Sequence, residues 1–578
     1  MPASVVRIWY VAIGVGLVLG LAVTLLAGAG ERRTGTAPTG PAIGAPTASA
    51  VAVEGEHPAL LPDQPNVVVV MADDMRVDDL AFAPGLRRIV AEHGVTFENA
   101  FAPFPLCCPS RASFLTGQYA HNHGVWWHEP PYGYGAFDDA RTVATSLRAA
   151  GYRTGFVGKY LNRYGLDPSK VTGEPSATYV PEGWDDWRGA VEPPAGSGIH
   201  GNAYDYMDTP FNVNGTIDNR YRGVYQTDVI GDLSVDMSRR FARGRKPFFM
   251  YVNYVAPHHG QPVPADQPRD VQDEDGRDVT VVTPAVPDRV RGRFDRTIDR
   301  ASGVARTGEP VETDRSDKPG KLRERLHSFG DEAKDALRFA TRRRAEAVFV
   351  MDRNIARLVA ELRRSGEWER TVFVFTSDNG MLIGEHGFGM TKVRAHEPSL
   401  RVPVLVTGPG LRAGERRYDP ISTVDLTATI LDLADAEPPL RPDGVSRLRT
   451  LVEGDEGWRT PIVTEAVFTG RGRDPQFTDL RSTIGIRVSR YSYTRYRGGA
   501  AELYDLVEDP REDRNVADDP AYADVRAALD ELWPALKDCA GVAACNPVLP
   551  PILGAPPKEN RAHTDAYWDE IRAAYGWD

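Results

Sequence analysis

The sequence predicts an α/β fold with a large, mostly parallel mixed sheet between helices and a small C-terminal α+β subdomain with an antiparallel sheet. Runs rich in β-branched and aromatic residues at 66–72, 248–256 and 371–376 are typical of strands buried on both faces. An amphipathic pattern over 337–362 predicts a helix packed on that sheet. Short alternating segments after residue 466, followed by an apolar pattern at 521–536, predict the strands and a helix of the subdomain.

Length and composition are those of an ordinary globular protein. The chain has 578 residues, of which 42% are hydrophobic and 26% are charged, so it can hold more than one domain or subdomain. Its net charge of −12 argues against nucleic acid as a partner, because nucleic-acid binders usually present a basic face. An anionic substrate would therefore need a local cluster of cations.

The first 30 residues are predicted to be a signal peptide or a membrane anchor. Positions 8–30 carry no charged residue, and about 20 apolar residues suffice to span a bilayer. Small residues at 26–30 would also suit signal-peptide cleavage, although we favour an uncleaved anchor that would attach the chain to the membrane. Either alternative exports the rest of the chain, so we expect it outside the cell or at the outer face of the cell membrane.

Composition also predicts the domain boundaries. Residues 31–62 are rich in Ala, Pro, Thr and Gly, which predicts a flexible linker. We expect the main domain to cover 63–465 and the C-terminal subdomain to cover 466–578. Within the main domain, the polar stretches 165–220 and 261–330 are predicted to be rim loops that shape substrate access.

Only four cysteines are present in the chain. Cys539 and Cys545 are separated by a short loop and are predicted to form a disulfide in an oxidising compartment. Cys107 and Cys108 are then left over, which is unusual for an exported protein. They could be structural thiols or a redox pair, but a thiol with a chemical task explains them better.

The residues that follow this pair predict an anion site. Ser110 is expected to be the N-cap of a helix, and Pro109 to end any helix before it. Cys107 would then lie on a turn at a helix N-terminus, which favours negative charge. Arg111 adds a permanent cation whose geometry suits tetrahedral oxyanions.

Oxygen ligands follow two of the predicted strands. Asp73 and Asp74 end the first strand, and Asp378 and Asn379 end the strand at 371–376. Open α/β sheets place their sites at the carboxyl ends of strands, so these groups are expected to meet. Three carboxylates repel one another unless a cation lies among them. Ligation by oxygen alone predicts one hard ion, and calcium tolerates irregular geometry better than magnesium.

Three further residues complete the set of candidates. Lys159 ends a short predicted strand, and Lys392 lies one loop beyond the Asp378 turn. Either lysine alone would usually be a solvated surface charge. His258 follows the strand at 248–256, and a histidine at such a position can donate a proton near neutral pH.

These motifs together resemble the signature of type I sulfatases. The stretch from Leu106 to Gly117 carries the pattern around the family's modified cysteine, and the other candidates follow in the family's order. The similarity covers roughly residues 64–520. Within the family, the segments around Cys107 and Lys159 look most like N-acetylglucosamine-6-sulfatases and extracellular endosulfatases.

The resemblance implies an alkaline-phosphatase-like sandwich, with 63–465 as the sulfatase catalytic domain. It implies that a separate formylglycine-generating enzyme oxidises Cys107 to formylglycine, whose hydrate is the nucleophile, while Cys108 fills a variable position. The implied ligands of one calcium ion are an oxygen on residue 107 and the side chains of Asp73, Asp74, Asp378 and Asn379.

The resemblance also implies roles for the cationic residues. Arg111 would support the formylglycine, and Lys159, His258 and Lys392 would neutralise sulfate oxygens, with one of them or a neighbour protonating the leaving alcohol. The chain departs from many arylsulfatases at Leu161, where those enzymes have a histidine. This leaves the assisting residue open. We expect Asn162 and His386 to bind substrate; the other candidates are His259, His121 and His123.

The implied function is hydrolysis of a sulfate monoester on a sulfated carbohydrate similar to N-acetylglucosamine-6-sulfate. Three alternatives stay open at this point. A phosphonate or phosphodiester hydrolase of the same superfamily could use the same nucleophile. A non-catalytic binding protein on this fold would show no turnover. A redox-active cysteine pair would make Asp73 and Asp378 dispensable.

Overall fold

The first predicted strand forms the middle of the main sheet. A computed structural model describes residues 64–298, 312, 314–323, 326–467 and 482–575. The strands are β1 (Asn66–Asp73), β2 (Gly94–Phe97), β3 (Ala100–Phe101), β4 (Arg153–Lys159), β5 (Asp186–Ala190), β6 (Phe211–Val213), β7 (Thr216–Asp218), β8 (Phe248–Pro257), β9 (Thr371–Ser377), β10 (Leu382–Ile383), β11 (Met390–Thr391), β12 (Val404–Thr407), β13 (Glu415–Arg417), β14 (Ile421–Ser422), β15 (Ile462–Ala466), β16 (Thr483–Arg487), β17 (Tyr491–Tyr496) and β18 (Ala501–Asp505).

Ten of these strands form the main sheet, in the order β13-β2-β12-β9-β1-β8-β4-β5-β6-β7. The central strands β9, β1, β8, β4 and β5 run parallel, whereas β12 runs antiparallel to β9 and β6 antiparallel to β5. Strands β15 to β18 form a separate antiparallel sheet. The predicted mixed sheet and small antiparallel sheet are both confirmed.

Helices cover both faces of the main sheet. The α-helices of the described residues are α1 (Pro84–His93), α2 (Cys107–Thr116), α3 (Ala120–His123), α4 (Val143–Ala149), α5 (Gln226–Phe241), α6 (Gly320–Arg323), α7 (Asp331–Arg364), α8 (Glu397–Leu400), α9 (Thr423–Leu433), α10 (Leu448–Glu453), α11 (Ala523–Leu536), α12 (Val542–Cys545) and α13 (Pro557–Tyr575). The predicted helix at 337–362 is α7, and the one at 521–536 is α11. Helix α13 was not predicted from the sequence.

Alternate side chains of β1 point to opposite faces of the main sheet, which explains why the core has one layer on each face. Val67, Val69 and Met71 pack into the cluster that contains residues of α2, α4 and α9. Val68 and Val70 pack into the opposite cluster, with residues of α1, α5 and α7. Because both faces of the strand are buried, its sequence is uninterrupted by polar residues. The C-terminal sheet and α11 pack in a further cluster, which also contains Phe101 and Val424 of the main domain.

Two predictions concern the ends of the chain. The disulfide between Cys539 and Cys545 is confirmed. Among the described residues, no helix is long and apolar enough to cross a membrane; the predicted anchor at 8–30 and the linker at 31–62 lie outside them. Strand β15 begins at Ile462, just before the predicted start of the subdomain at 466, and the domain boundaries stay a prediction.

Candidate functional site

The candidate residues meet at the carboxyl ends of four neighbouring strands. In the order β9-β1-β8-β4, these strands end beside Asp378, Asp73, His258 and Lys159 respectively. Since parallel strands end at the same edge of a sheet, residues distant in sequence come together there. Helix α2 brings Cys107 to the same edge.

The start of α2 differs from the prediction. The helix begins at Cys107, and the residue before it, Leu106, is extended with φ −155° and ψ 131° and makes no side-chain cap. Ser110 lies within the first turn, where its Oγ donates to the carbonyl oxygen of Asp378 at 2.5 Å. The predicted N-cap at Ser110 and helix break at Pro109 are therefore wrong. Proline is tolerated in a first turn because the N–H groups there have no partner within the helix.

Arg111 anchors one wall of the site from α2. Its Nε lies 2.7 Å from Asp378 Oδ2, and its Nη1 donates to the carbonyl oxygen of Lys159 at 3.0 Å and to Asn253 Oδ1 at 2.9 Å. The other oxygen of Asp378 accepts from the backbone N–H of Asp74 at 3.0 Å. Arg111 is 1% exposed, so it fixes the position of Asp378 rather than facing solvent.

Two lysines pair with the carboxylates at the end of β1. Lys159 Nζ lies 2.5 Å from Asp73 Oδ2, and Lys392 Nζ lies 2.6 Å from Asp74 Oδ1. Lys392 Nζ is also 3.7 Å from Cys107 Sγ. Burial alone would lower the pKa of each lysine, but the adjacent carboxylate raises this pKa above its ordinary value. Both lysines are therefore fixed positive charges next to residue 107.

The two free cysteines are both buried thiols. Burial raises the pKa of Cys107, although Lys159 and Lys392 counteract this in part. Burial raises the pKa of Cys108 well above its ordinary value. A reactive redox cysteine needs a depressed pKa, so this environment does not favour the redox alternative.

His258 and Asn162 line the same cavity as Cys107. His258 Nε2 lies 3.6 Å from Asp74 Oδ2, and burial lowers the pKa of His258 well below its ordinary value. Asn162 Oδ1 accepts from Cys107 Sγ at 3.2 Å. Cys107 is thus held between the amide of Asn162 and the ammonium of Lys392.

The oxygen atoms at this edge fit a hard cation. Asp73 Oδ1, Asp74 Oδ2 and Asn379 Oδ1 are buried and have no hydrogen-bond partner among the described residues. Ligand atoms of Asp73, Cys107 and Asp378 lie within 4.8 Å of one another. Burial and the neighbouring Asp73 raise the pKa of Asp378, which shows the mutual repulsion of the carboxylates. Unpartnered buried oxygens of this kind are the ligands that calcium prefers.

A cavity of about 570 Å³ opens above these groups. Of the predicted residues, Cys107, Asn162, His258 and Lys392 line it, whereas the carboxylates, Asn379, Arg111 and Lys159 are buried beside it. This volume is within the usual range for small-molecule sites. Both predicted rim segments contribute to the walls, 165–220 through Glu192 and Tyr204, and 261–330 through residues that include Gln261 and Thr283. The first of them is not a loop throughout, because it also contains the sheet strands β5, β6 and β7.

Several histidines do not contribute in the expected way. His386 is not among the residues that line the cavity; its Nδ1 pairs with Glu312 Oε2 at 2.9 Å and its ring packs on His396. The predicted contact of His386 with substrate therefore has no support in the structure. His121 pairs with Glu465 and His123 with Ser113, so both are satisfied structural histidines. His259 does line the cavity.

Several cavity residues were not predicted individually from the sequence, among them His128, Glu192 and Tyr204. They lie in irregular segments outside the named strands and helices. No periodic pattern marks them, and their residue types are common on protein surfaces. The usable sequence signals at this site were the ends of the apolar strands and the motif around Cys107.

The family model described as Sulfatase matches residues 65–436. The chain belongs to the sulfatase family. A second model, described as N-sulphoglucosamine sulphohydrolase, C-terminal, matches residues 384–538. The first match includes β1, α2, β4, β8 and β9 and therefore every candidate residue of the site. Sulfatases are sulfuric ester hydrolases, and the predicted family is confirmed.

Curated relatives of this sulfatase-family chain come from the expected branch. The extracellular sulfatase SULF-1 homolog of Drosophila melanogaster is 28% identical over 412 residues, which are 68% of this chain and 32% of the relative. Human N-acetylglucosamine-6-sulfatase is 28% identical over 432 residues, which are 71% of this chain and 68% of the relative. The chain spans about half the length of the similar Caenorhabditis elegans sulfatase homolog, 54%.

Solved structures agree with the fold of this sulfatase. BT4656, solved in complex with its substrate D-glucosamine-2-N,6-O-disulfate, matches with a TM-score of 0.60 over 82% of this chain and 98% of its own. The two sequences are 23% identical. Agreement at this level of identity concerns the fold alone.

Proposed function

We propose that this protein hydrolyses a sulfate monoester on a sulfated amino sugar, with N-acetylglucosamine-6-sulfate as the leading candidate. The observation that carries the proposal is the setting of Cys107. It lines a sugar-sized cavity, lies 3.7 Å from Lys392 Nζ and shares a 4.8 Å cluster of ligand atoms with Asp73 and Asp378. The substrate class rests on what the relatives named N-acetylglucosamine-6-sulfatase act on.

We assign the role of nucleophile precursor to Cys107. Formylglycine, made from it by a separate formylglycine-generating enzyme, would supply a hydrated aldehyde as the attacking group. Asn162 Oδ1 already accepts a hydrogen bond from residue 107 at 3.2 Å, and a hydroxyl on that residue could donate to the same oxygen. Cys108 is fully buried in the core and has no such access.

One calcium ion is the proposed cofactor. Asp73, Asp74, Asp378 and Asn379 would hold it together with an oxygen on residue 107, and it would neutralise the carboxylates and the charge of the sulfate group. Three of these side chains each have a buried oxygen that no residue in the described part of the chain hydrogen-bonds. Arg111 holds Asp378 in place through its 2.7 Å ion pair.

The remaining residues would bind and orient the sulfate group. Lys159 and Lys392 have raised pKa values, so they retain their protons and act as fixed charges for the sulfate oxygens. His258 donates through Nδ1 to the carbonyl oxygen of His259 at 2.6 Å, which fixes the orientation of its ring. The walls of the cavity would then select the sugar.

We also infer that the protein acts outside the cell. The disulfide between Cys539 and Cys545 is of the kind that forms in oxidising compartments. Two of the relatives are extracellular sulfatase homologs. An apolar segment at 8–30 would direct export.

Mass spectrometry of the peptide that contains residue 107, from protein made in its native host, tests the proposal first. We expect an aldehyde at residue 107. An unmodified thiol, in a host shown to carry the modifying enzyme, would refute the proposed nucleophile. The modified protein would then be assayed with N-acetylglucosamine-6-sulfate, an aryl sulfate and a phosphonate monoester.

The same panel separates the alternatives. Preference for the sulfated sugar supports the proposal. Faster cleavage of the phosphonate monoester would identify a phosphonate hydrolase with the same nucleophile. Binding of sulfated sugars without any turnover, despite the aldehyde, would identify a non-catalytic binding protein.

A further inference from the structure

We propose that Tyr204 is a further residue of the sulfate pocket, whose phenol O–H donates a hydrogen bond to an oxygen of the bound sulfate group. A second part of the proposal is that the same hydroxyl fixes the side-chain amide of Asn162 toward residue 107. This inference rests on the proposed function in one respect, namely that the anion bound beside Cys107 is a sulfate group.

Tyr204 is held rigidly in the cavity wall. It lies between β5 and β6 and lines the cavity together with Cys107 and His258. Its backbone N–H donates to Asn202 Oδ1 at 2.8 Å, and its carbonyl oxygen accepts from the backbone N–H of Gln261 at 2.8 Å. The side chain is therefore presented from a backbone that is tied on both sides.

The ring of Tyr204 packs over two of the proposed sulfate-binding residues. Lys159 Nζ lies 4.9 Å from the ring centroid, which is within the range of a cation–π interaction. The ring of His258 lies 5.0 Å away, centroid to centroid. The position of the ring thus places the hydroxyl in the same part of the cavity as these groups.

The hydroxyl has a hydrogen that no described residue accepts. Asn162 Nδ2 donates to the phenol oxygen at 2.6 Å, so the oxygen acts as an acceptor in that bond. A phenol can donate one hydrogen bond in addition, and none of the hydrogen bonds among the described residues uses this donor. The hydrogen is available to a ligand in the cavity.

The connection to residue 107 passes through one amide group. Asn162 donates to Tyr204 through Nδ2 and accepts from Cys107 Sγ through Oδ1, at 3.2 Å. Because the amide N–H of Asn162 donates its hydrogen bond to the phenol oxygen, the amide oxygen is oriented toward residue 107. Burial raises the pKa of Tyr204 well above its ordinary value, so the phenol keeps its proton and serves as a donor.

The test measures binding of inorganic sulfate by calorimetry, in calcium-containing buffer, for the wild type, Tyr204→Phe and Tyr152→Phe. Tyr204→Phe keeps the ring over Lys159 and removes only the hydroxyl. Tyr152→Phe is the matched control, because its hydroxyl bonds the carbonyl oxygen of Pro65 in the core, outside the cavity. We expect Tyr204→Phe to weaken sulfate binding about 10- to 100-fold, as for loss of a hydrogen bond to a charged group, and the control to leave it unchanged.

A double-mutant cycle tests the link to Asn162. Sulfate affinity is measured for Asn162→Ala alone and with Tyr204→Phe. We expect the double variant to lose less than the product of the two single losses, because both single changes remove the same hydrogen bond. Independent losses would overturn the link, and sulfate affinity unchanged in Tyr204→Phe would overturn the pocket role.

Kinetics separate this inference from the proposed function. If the wild type binds sulfate through Tyr204 but cleaves no sulfate ester, the proposed function fails and the inference stands. If the wild type cleaves the ester and Tyr204→Phe matches it in sulfate affinity, KM and kcat, the inference fails and the function stands. A wild type that binds no sulfate overturns the inference.

Discussion

Arg344 donates through Nη2 to the backbone carbonyl oxygen of Asp74 over 2.7 Å. The same nitrogen lies 2.7 Å from Asp79 Oδ2, and Arg344 is 1% exposed. Asp74 has φ 63°, a left-handed conformation that is uncommon for a residue other than glycine. The long helix α7 therefore supports, from outside the cavity, the backbone conformation that aims one proposed calcium ligand.

Replacing Arg344 should weaken calcium binding without touching a ligand. Arg344→Met removes the bond to Asp74 and leaves the buried Asp79 without its partner cation, so we expect about tenfold weaker calcium affinity and a stability loss of about 3–5 kcal/mol. Calorimetric calcium titration and thermal unfolding measure these two effects. Arg344→Lys, which keeps the charge, should retain more of the calcium affinity and more of the stability than Arg344→Met.

Arg188→Met is the matched control for Arg344→Met. Arg188 makes a buried pair with Asp186 at 3.0 Å on β5, outside the cavity and the proposed ligand set. We expect a smaller loss of stability, because Asp186 keeps its ion pair with Arg240 at 3.0 Å, and an unchanged calcium affinity. Equal calcium affinity in both variants would show that Arg344 contributes to stability only.

The adjacent cysteines should respond differently to substitution. Cys107 lines the cavity, and Cys108 is buried in the main core. We expect Cys107→Ala to lower kcat/KM by roughly 10³-fold or more, because the nucleophile is lost. Cys108→Ala should cost about 1 kcal/mol of stability and retain activity, as assays and thermal unfolding can show. Equal inactivation by both substitutions would instead favour a redox pair.

Removing calcium should destabilise the protein and abolish its activity. The carboxylates of Asp73, Asp74 and Asp378 repel one another, and an ion bound at 100 times its Kd would add about 2.7 kcal/mol of stability. Thermal unfolding and activity are measured in chelator, then after adding back calcium or magnesium. Calcium should restore both better than magnesium, which prefers regular octahedral ligation. An unfolding temperature and activity that chelation leaves unchanged would exclude the site.

The ion pair between His121 and Glu465 predicts a pH-dependent stability. The two side chains lie 2.8 Å apart. Burial alone would lower the pKa of His121, but Glu465 raises it to about 9. The folded pKa exceeds the unfolded value of about 6.5. The pair therefore contributes fully below about pH 6.5, and its contribution of about 2–3 kcal/mol is lost as the pH rises through 9.

Denaturant unfolding between pH 6 and 10 measures this contribution. We expect His121→Gln to flatten the decline in stability over that range. His123→Gln is the control above about pH 7.5, because burial lowers the pKa of His123 to about 3, so that its side chain is neutral there in the folded chain and largely neutral in the unfolded chain. A decline that survives in His121→Gln would locate the pH dependence elsewhere.

The sequence predicted the strand-end part of the site because simple geometry governs it. Asp73 and Asp378 follow apolar runs, and parallel strands bring such ends together. The first residue of α2 could not be predicted in this way. Ser110 is a residue type that suits an N-cap, but its hydroxyl bonds Asp378, a residue distant in sequence. Tyr204 comes from an irregular segment with no period, and its place depends on Asn202 and Gln261. The predicted substrate contact of His386 has no support because its ring pairs with Glu312 instead of facing the cavity.

The order of strands in the main sheet determines how late during synthesis the centre of the sheet can form. Strand β1 lies between β8 and β9, whose residues follow it by about 180 and about 300 positions. At roughly 5–20 residues per second, synthesis leaves β1 without β9 for about 15–60 s. Cys107 is 2% exposed in the finished fold. If an enzyme modifies Cys107, as we propose, this burial predicts that it acts before the fold is complete, so that folding would compete with modification.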